Sequence, residues 1–217
     1  MRERLSRRRV LEAALAVVDA EGLEALTMRR LGRELGVEAM SLYRHVPGKE
    51  ALLDGIVELI VLEIEVPPAV EGNWQDAVRH VVRSYRRAAH AHPNAFALVT
   101  TRPLNTPEAL RRLDANFEIL RQAGFDEVGA IVAFRTLAGF TRGFALEEVT
   151  GRALGAQPVG GQERLDPREL PAEEFPRIAE LAPWLVAPER EAEFERGVDV
   201  IVAGLEAMLA RSREVTA

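Results

Sequence analysis

The sequence predicts an all-α protein, with a small N-terminal helical bundle followed by a larger C-terminal one. Apolar residues recur at helical spacing along most of the chain, and glycine and proline interrupt the pattern at intervals of about one helix length. No segment alternates apolar and polar residues as a half-buried strand does, and no repeat of about 20 to 50 residues is visible.

The first helix is predicted over residues 7–21 by an apolar stripe with the spacing i, i+3, i+4 and i+7, after which Gly22 ends it. Thr27 has the side chain of an N-cap and predicts a second helix that runs to about Leu35, where Gly36 breaks it. The stripe consists of Leu11, Ala14, Leu15 and Val18.

A third, short helix is predicted over 38–45, and Pro47 and Gly48 end it. The fourth, over 49–65, is longer. Residues 151–172 are rich in glycine and proline and predict one long loop. The further helices are predicted at 73–91, 94–101, 106–123, 126–150, 173–181 and 188–211.

Composition excludes several classes of protein. The 217 residues are 47% hydrophobic and 29% charged, and cysteine is absent, which removes disulfides, thiol catalysis and thiolate metal sites. No apolar run reaches the ~18 residues of a membrane helix, and the basic N-terminus is not followed by the apolar stretch of a secretory signal. We therefore expect a cytoplasmic protein without membrane contact.

The charge is distributed unevenly. The net charge is −6, but residues 1–49 carry +3 and residues 50–217 carry −9. A basic head on an acidic body fits a protein that touches phosphates with one end only. A solvated surface without function would give the same asymmetry.

Two short helices joined by a glycine turn and packed on a third predict a helix-turn-helix in the N-terminal bundle. The residues expected to face its core are Leu31, Leu35, Val37, Leu42 and Val46. A generic three-helix bundle with a solvated polar face would have the same pattern.

The outer face of the third helix would enter the DNA major groove. Ala39 and Met40 could meet a thymine methyl group, and Ser41 could bond a base or a phosphate. Tyr43 and Arg44 share this exposed side.

Other residues around the turn could hold the DNA backbone. His45 and Lys49, with Tyr43, are placed to contact phosphates, and Thr27 lies at the positive end of its helix. Arg29 could reach a base edge or the backbone.

The segment Val10 to Ile60 resembles the DNA-binding domain of the TetR family of transcriptional regulators. The stretches EALTMRRLGRELGV and SLYRHVPGKEALLDGI carry this resemblance. It implies binding of double-stranded operator DNA. The implied contact residues are Thr27, Arg29, Met40, Ser41, Tyr43, Arg44, His45 and Lys49.

The C-terminal part resembles the tetracycline-repressor branch of this family, through Trp74-Gln-Asp, Thr101-Arg-Pro, Gln122-Ala-Gly-Phe and Gly143-Phe-Ala-Leu-Glu. The resemblance implies a helix-turn-helix domain over 1–48, a connecting helix over 49–66, and an effector-binding and dimerisation domain over 67–217. It also implies a homodimer formed mainly by the helices at 126–150 and 188–211.

Three positions depart from this branch. Tetracycline repressors bind a drug–magnesium chelate, and the positions of two histidines and an asparagine that contact it correspond to Leu98, about Glu65, and Val81 here. We therefore expect no metal, no cofactor and a different, more apolar effector.

The expected effector cavity combines apolar side chains with a few polar ones. Arg102 could instead cap the C-terminus of a helix between the domains, and Glu147 could reach the partner subunit or lie at the surface. The candidates are Tyr85, Phe96, Leu98, Arg102, Asn116, Leu120, Phe134, Leu137, Thr141 and Glu147.

Together these features predict a repressor that a small, largely apolar effector releases from a pseudo-palindromic operator. An effector-independent or activating regulator, and a helical module that never binds DNA, are the alternatives. An enzyme is not expected, because no Ser-His-Asp grouping, phosphate loop or HExxH motif occurs, and His90 and His92 do not share a helix face.

Overall fold

The structure, a computed structural model, describes residues 4–68, 74–151, 165–186 and 189–216, the last four without side chains. Within these ranges the chain forms ten α-helices and two short 3₁₀ turns and no strand, so the all-α prediction is confirmed. None of the helices in the described ranges has the length and apolarity needed to cross a bilayer.

The chain divides into two compact units, residues 1–123 and 124–217. The first contains α1 (Arg7–Glu21), α2 (Met28–Leu35), α3 (Ala39–Leu42), α4 (Lys49–Glu63), α5 (Trp74–Ala91), α6 (Phe96–Thr101) and α7 (Pro107–Gln122). The second contains α8 (Glu127–Thr150), α9 (Pro176–Val186) and α10 (Arg190–Thr216). The 3₁₀ turns are Leu23–Ala25 and Pro167–Glu169.

Side-chain caps and left-handed glycines set the helix boundaries. The Thr27 hydroxyl accepts a hydrogen bond from the Arg30 backbone N–H at 3.0 Å, and Gly36 ends α2 with a φ of 65°. Both features confirm the boundaries predicted for α2. Asp126 caps α8 in the same way, accepting from the Gly129 N–H at 2.7 Å.

The core of the first unit forms where α4 crosses α1. Ile56 and Ile60 of α4 are fully buried, as is the predicted stripe of α1. Gly55 lies against Leu11, and a Cβ built on this glycine would clash with a Leu11 methyl carbon. The glycine therefore lets the two helices approach closely, which joins the N-terminal bundle to the connecting helix.

Three of the predicted helices differ from the observed ones by three or more residues at one end or both. The predicted helix 38–45 is an α-helix only over Ala39–Leu42 and then becomes a turn, because Pro47 has no N–H and restricts the residue before it. The helix predicted at 173–181 begins at Pro176, a residue suited to the first turn, and ends at Val186. The last helix continues beyond 211 to Thr216 because neither glycine nor proline stops it.

In the second unit α10 packs along α8. The buried Phe194 ring lies 5.7 Å from Phe140 and 5.3 Å from Phe144, centroid to centroid. Gly197 faces Phe140 so closely that a Cβ on this residue would clash with the ring. Most of the predicted loop 151–172 lies outside the described residues.

Candidate functional site

The helix-turn-helix depends on a close approach between α2 and α3. A Cβ built on Gly32 would lie 2.9 Å from the Val37 carbonyl oxygen and 3.2 Å from the Ala39 nitrogen. The Val37 N–H also donates to the Gly32 carbonyl at 2.9 Å. Backbone therefore packs directly on backbone here, which fixes the angle at which α3 is presented. Gly32 is not among the residues predicted from the sequence to shape this site.

One side of α3 is buried and the other faces solvent. Leu42 is fully buried, whereas Met40 is 75% exposed and Tyr43 is 44% exposed. Ser41 and His45 are half-buried. The structure thus places the predicted base-reading side chains on one accessible surface, with Tyr43 and His45 in the turn that follows the helix.

The predicted cations of this surface are available for phosphate. Arg29, Arg44 and Lys49 are exposed, and within the described part of the chain no carboxylate pairs with them. Arg30, next to Arg29, differs because its guanidinium bonds Glu21 at 3.0 Å and Glu34 at 2.8 Å. The side chain of Thr27, the remaining predicted contact, is exposed and caps α2.

If Lys49 contacts a phosphate, as the sequence predicts, replacing it with alanine should weaken DNA binding by about five- to tenfold, equally for all operator sequences, because a phosphate contact carries no sequence information. The slope of log affinity against log salt should fall by about two for a dimer, one phosphate contact per subunit. A salt titration monitored by fluorescence anisotropy measures both effects. Arg111→Ala is the control, since this exposed arginine of α7 pairs with Glu108; an equal change of slope in both variants would contradict the assignment.

Arg102 contacts the connecting helix. Its guanidinium bonds the Asp54 carboxylate at 2.8 Å and the Glu50 carboxylate at 2.9 Å, and these two hydrogen bonds raise the pKa of Arg102. From the sequence, Arg102 is predicted to contact the effector or to cap a helix C-terminus. Its guanidinium lies against the N-terminal half of α4 and not at a helix C-terminus, while the effector contact stays a prediction.

Two further arginines hold α4, and neither is among the residues predicted from the sequence. Arg7 of α1 bonds the buried carboxylate of Glu58 at 2.9 Å. Arg112 of α7 donates to the Leu62 carbonyl at 3.1 Å, near the C-terminal end of α4. The connecting helix is therefore fixed by polar contacts along its whole length.

The effector candidates of the first unit are partly brought together. The Tyr85 and Phe96 rings meet edge to face, with centroids 5.4 Å apart. Leu98 and Leu120 are buried. The Asn116 amide donates to the Arg112 carbonyl of its own helix at 2.7 Å.

The candidates of the second unit all lie on α8. Leu137 and Thr141 are buried, and the Thr141 hydroxyl donates to the Leu137 carbonyl at 2.7 Å. Phe134 is half-buried. The exposed Glu147 carboxylate lies 3.6 Å from the Arg190 guanidinium of the same chain. Among the described residues, no group of three or more histidine or acidic side chains is arranged to hold a metal ion.

Comparison with known families matches both parts of the chain. Residues 10–56 match the family described as bacterial regulatory proteins, tetR family, and residues 66–209 match the tetracyclin repressor-like C-terminal domain. These are families of transcriptional regulators, so the prediction that the chain is not an enzyme is confirmed.

Individual relatives align with 90% or more of this chain. The chain is 30% identical to the transcriptional repressor DrrR1 of Streptomyces coeruleorubidus, over 94% of this chain and 78% of that protein. It is 32% identical to the class A tetracycline repressor of Escherichia coli, over 90% and 88%.

Solved structures give the same result. The fold is similar to that of apo ActR from Streptomyces coelicolor, with a TM-score of 0.81 and 30% identity over 96% of this chain and 98% of that one. The same protein in complex with actinorhodin gives a TM-score of 0.80, with 30% identity over 94% and 96%. The chain thus belongs to the TetR family of helix-turn-helix transcriptional regulators, in the branch with a tetracycline-repressor-like C-terminal domain.

Proposed function

We propose that the protein is a dimeric repressor that binds a pseudo-palindromic operator and leaves it when a small, largely apolar effector binds. The observation that carries this proposal is the α3 surface, where exposed Met40 and Tyr43 lie beside cations that no carboxylate of the described chain neutralises. Such a surface suits a DNA groove flanked by phosphates. Its place of action would be the cytoplasm, with the operator.

The functional boundaries we propose are a DNA-binding domain over 1–48, a connecting helix over 49–66, and an effector-binding and dimerisation domain over 67–217. The separate family matches over 10–56 and 66–209 support this division. The DNA contacts would be Thr27, Arg29, Met40, Ser41, Tyr43, Arg44, His45 and Lys49.

The dimer would form through α8 and α10. On α8, Val128, Ile131 and Val132 are exposed at helical spacing, and on α10 Val200 is 73% exposed. Ala203 and Ala207 continue the exposed stripe of α10 and would let a partner helix approach closely. Two copies bring two recognition helices to one operator, about 34–36 Å apart or near a multiple of this.

The effector contacts we propose fall into one group within each unit. The first group is built around the Tyr85–Phe96 ring pair, with Leu98, Leu120, Asn116 and Arg102. The second, on α8, consists of Phe134, Leu137, Thr141 and Glu147. Aromatic and aliphatic surface with few polar groups favours a mainly apolar ligand. That ActR was solved in complex with actinorhodin supports a small-molecule effector for this chain.

The connecting helix α4 would transmit effector binding to the DNA-binding domain. Arg102 links the segment after α6 to Asp54, and Arg7 links α1 to Glu58 on the same helix. An effector that moves α6 or α7 would therefore move α4 and, through α1, the recognition helix. The effector has to bind the released arrangement more tightly than the DNA-bound one, because otherwise no population shifts.

The proposal is tested first by selecting bound sequences from a random DNA pool with the purified protein. Recovery of a pseudo-palindrome supports sequence-specific binding of an operator by a dimer. Failure to enrich any sequence at low salt overturns the proposal. Actinorhodin and magnesium–tetracycline are then titrated against the operator complex. Release by the first and not by the second is expected, since Leu98 occupies the position of a tetracycline-contacting histidine.

A further inference from the structure

His92, in the segment after α5, joins the DNA-binding domain to the end of the connecting helix. Its Nδ1 lies 2.8 Å from the Asp19 carboxylate of α1, and its Nε2 lies 2.9 Å from the Glu63 carboxylate at the last residue of α4. The imidazole is mostly buried, with 13% of the side chain exposed. The Asn94 amide also donates to the Asp19 backbone carbonyl at 2.9 Å.

The geometry requires a charged imidazole. A neutral histidine carries one N–H, whereas both ring nitrogens here face carboxylate oxygens, which only accept. Only the imidazolium can donate to Asp19 and Glu63 together. The other oxygen of the Asp19 carboxylate is buried and accepts no hydrogen bond within the described residues, so its charge is balanced mainly by His92.

The surroundings agree with this assignment. Asp19 from α1 and Glu63 from α4 are the charged groups that face the ring, and His90 lies on the exposed side of α5. Burial disfavours the imidazolium, but hydrogen bonds and charge from Asp19 and Glu63 outweigh it, and the pKa of His92 lies above its ordinary value.

We propose that Asp19, His92 and Glu63 form a protonation-dependent clamp that holds α1 against the C-terminal end of α4 and so makes operator affinity depend on pH. The inference rests on the proposed operator binding and adds a mode of regulation to it. With the clamp closed, the recognition helix is held in place before DNA arrives, so less ordering is needed on binding. His92 is thus a positioning residue that touches no DNA.

The direction follows from the raised pKa of His92. The stabilisation is fully present below the ordinary histidine pKa and is lost as the pH rises through the higher folded value. Loss of the proton leaves one of the two carboxylates without its donor. Operator binding by the wild-type protein should therefore weaken as the medium becomes more alkaline.

The test is the operator dissociation constant between pH 6 and pH 9 at constant salt, for the wild type, His92→Gln and His80→Gln. We expect wild-type affinity to fall about three- to tenfold more over this range than that of His92→Gln. His45, His80 and His90 are present in both proteins and cancel in the comparison. His80→Gln is the matched control, because His80 pairs with Glu65 at 2.8 Å and does not contact α1; it should keep the wild-type profile.

Parallel profiles for the wild type and His92→Gln, or a wild-type affinity that rises with pH relative to the variant, would overturn the clamp. Absence of specific binding at every pH would instead overturn the proposed function. Thermal unfolding is followed in the same buffers. If His92→Gln does not fold, Asp19→Asn carries the test, since it removes the charge on the α1 side alone and is also expected to flatten the profile.

Discussion

Replacing Gly32 with alanine should abolish operator recognition while leaving the rest of the molecule assembled. The added methyl group would lie 2.9 Å from the Val37 carbonyl oxygen, a backbone atom that cannot rotate away. Alanine gains up to about 1 kcal/mol in helix propensity, but overpacking a tight contact costs about 1–3 kcal/mol. The steric contact should therefore outweigh the gain in helix propensity, so the substitution should destabilise the protein. We expect α3 to tilt away from α2.

We expect the free energy of unfolding to fall by about 1–2 kcal/mol and operator affinity to fall at least about 100-fold, because a displaced recognition helix loses its base contacts together. Denaturant unfolding and fluorescence anisotropy measure the two quantities. Gly32→Val should lower both the unfolding free energy and the operator affinity further than Gly32→Ala does.

Gly48→Ala is the matched control, since a Cβ at Gly48 meets no atom within 4 Å. Its unfolding free energy should change by no more than about 0.5 kcal/mol. If Gly32→Ala bound the operator as tightly as this control does, the backbone contact would not set the recognition geometry.

The sequence was sufficient to predict features that depend on local chemistry. Thr27 and Gly36 bound α2 as predicted, since an N-cap hydroxyl and a left-handed glycine act on their own helix. The apolar stripe of α1 is buried as its periodicity predicts. The exposed position of Met40 follows from the same periodicity, because Leu42 must face inwards.

Features that depend on tertiary contacts could not be predicted in this way. A glycine within a helix, such as Gly32 or Gly55, gives no sign of what it faces until the neighbouring element is placed. The partners of His92 are 73 and 29 residues away in sequence. Helix periodicity indicates that His90 and His92 do not share a face. It cannot indicate that two carboxylates, distant in sequence, contact His92.

Arg102 shows the same limit for the effector site. A polar residue that is withdrawn from water needs partners, and from the sequence a ligand or a helix C-terminus is expected for Arg102. The half-buried guanidinium has Asp54 and Glu50 of α4 as partners, and the effector contact stays a proposal. The role of an arginine in a motif therefore becomes clear only after its acidic neighbours are known, and these lie about 50 residues earlier in the chain.

A single charge on the exposed stripe of α10 should separate the subunits. Val200 is 73% exposed in one chain, so Val200→Glu should leave the fold of each subunit intact, with an unfolding free energy within about 0.5 kcal/mol of the wild type in the monomeric state. In the proposed dimer the same carboxylate would be buried near its symmetry mate, and both desolvation and like-charge repulsion would oppose association.

We expect the dimer dissociation constant of Val200→Glu to rise at least about 100-fold, measured by sedimentation, and operator binding to weaken by a larger factor because two linked recognition helices become two separate ones. Leu110→Glu places the same charge on an exposed leucine of α7, outside the proposed interface, and should remain dimeric. Dissociation of both variants would indicate a general effect of added charge, and a dimeric Val200→Glu would place the interface elsewhere. Since a half-site alone cannot supply the affinity of a two-fold operator, this one position tests the link between the α10 surface and DNA recognition.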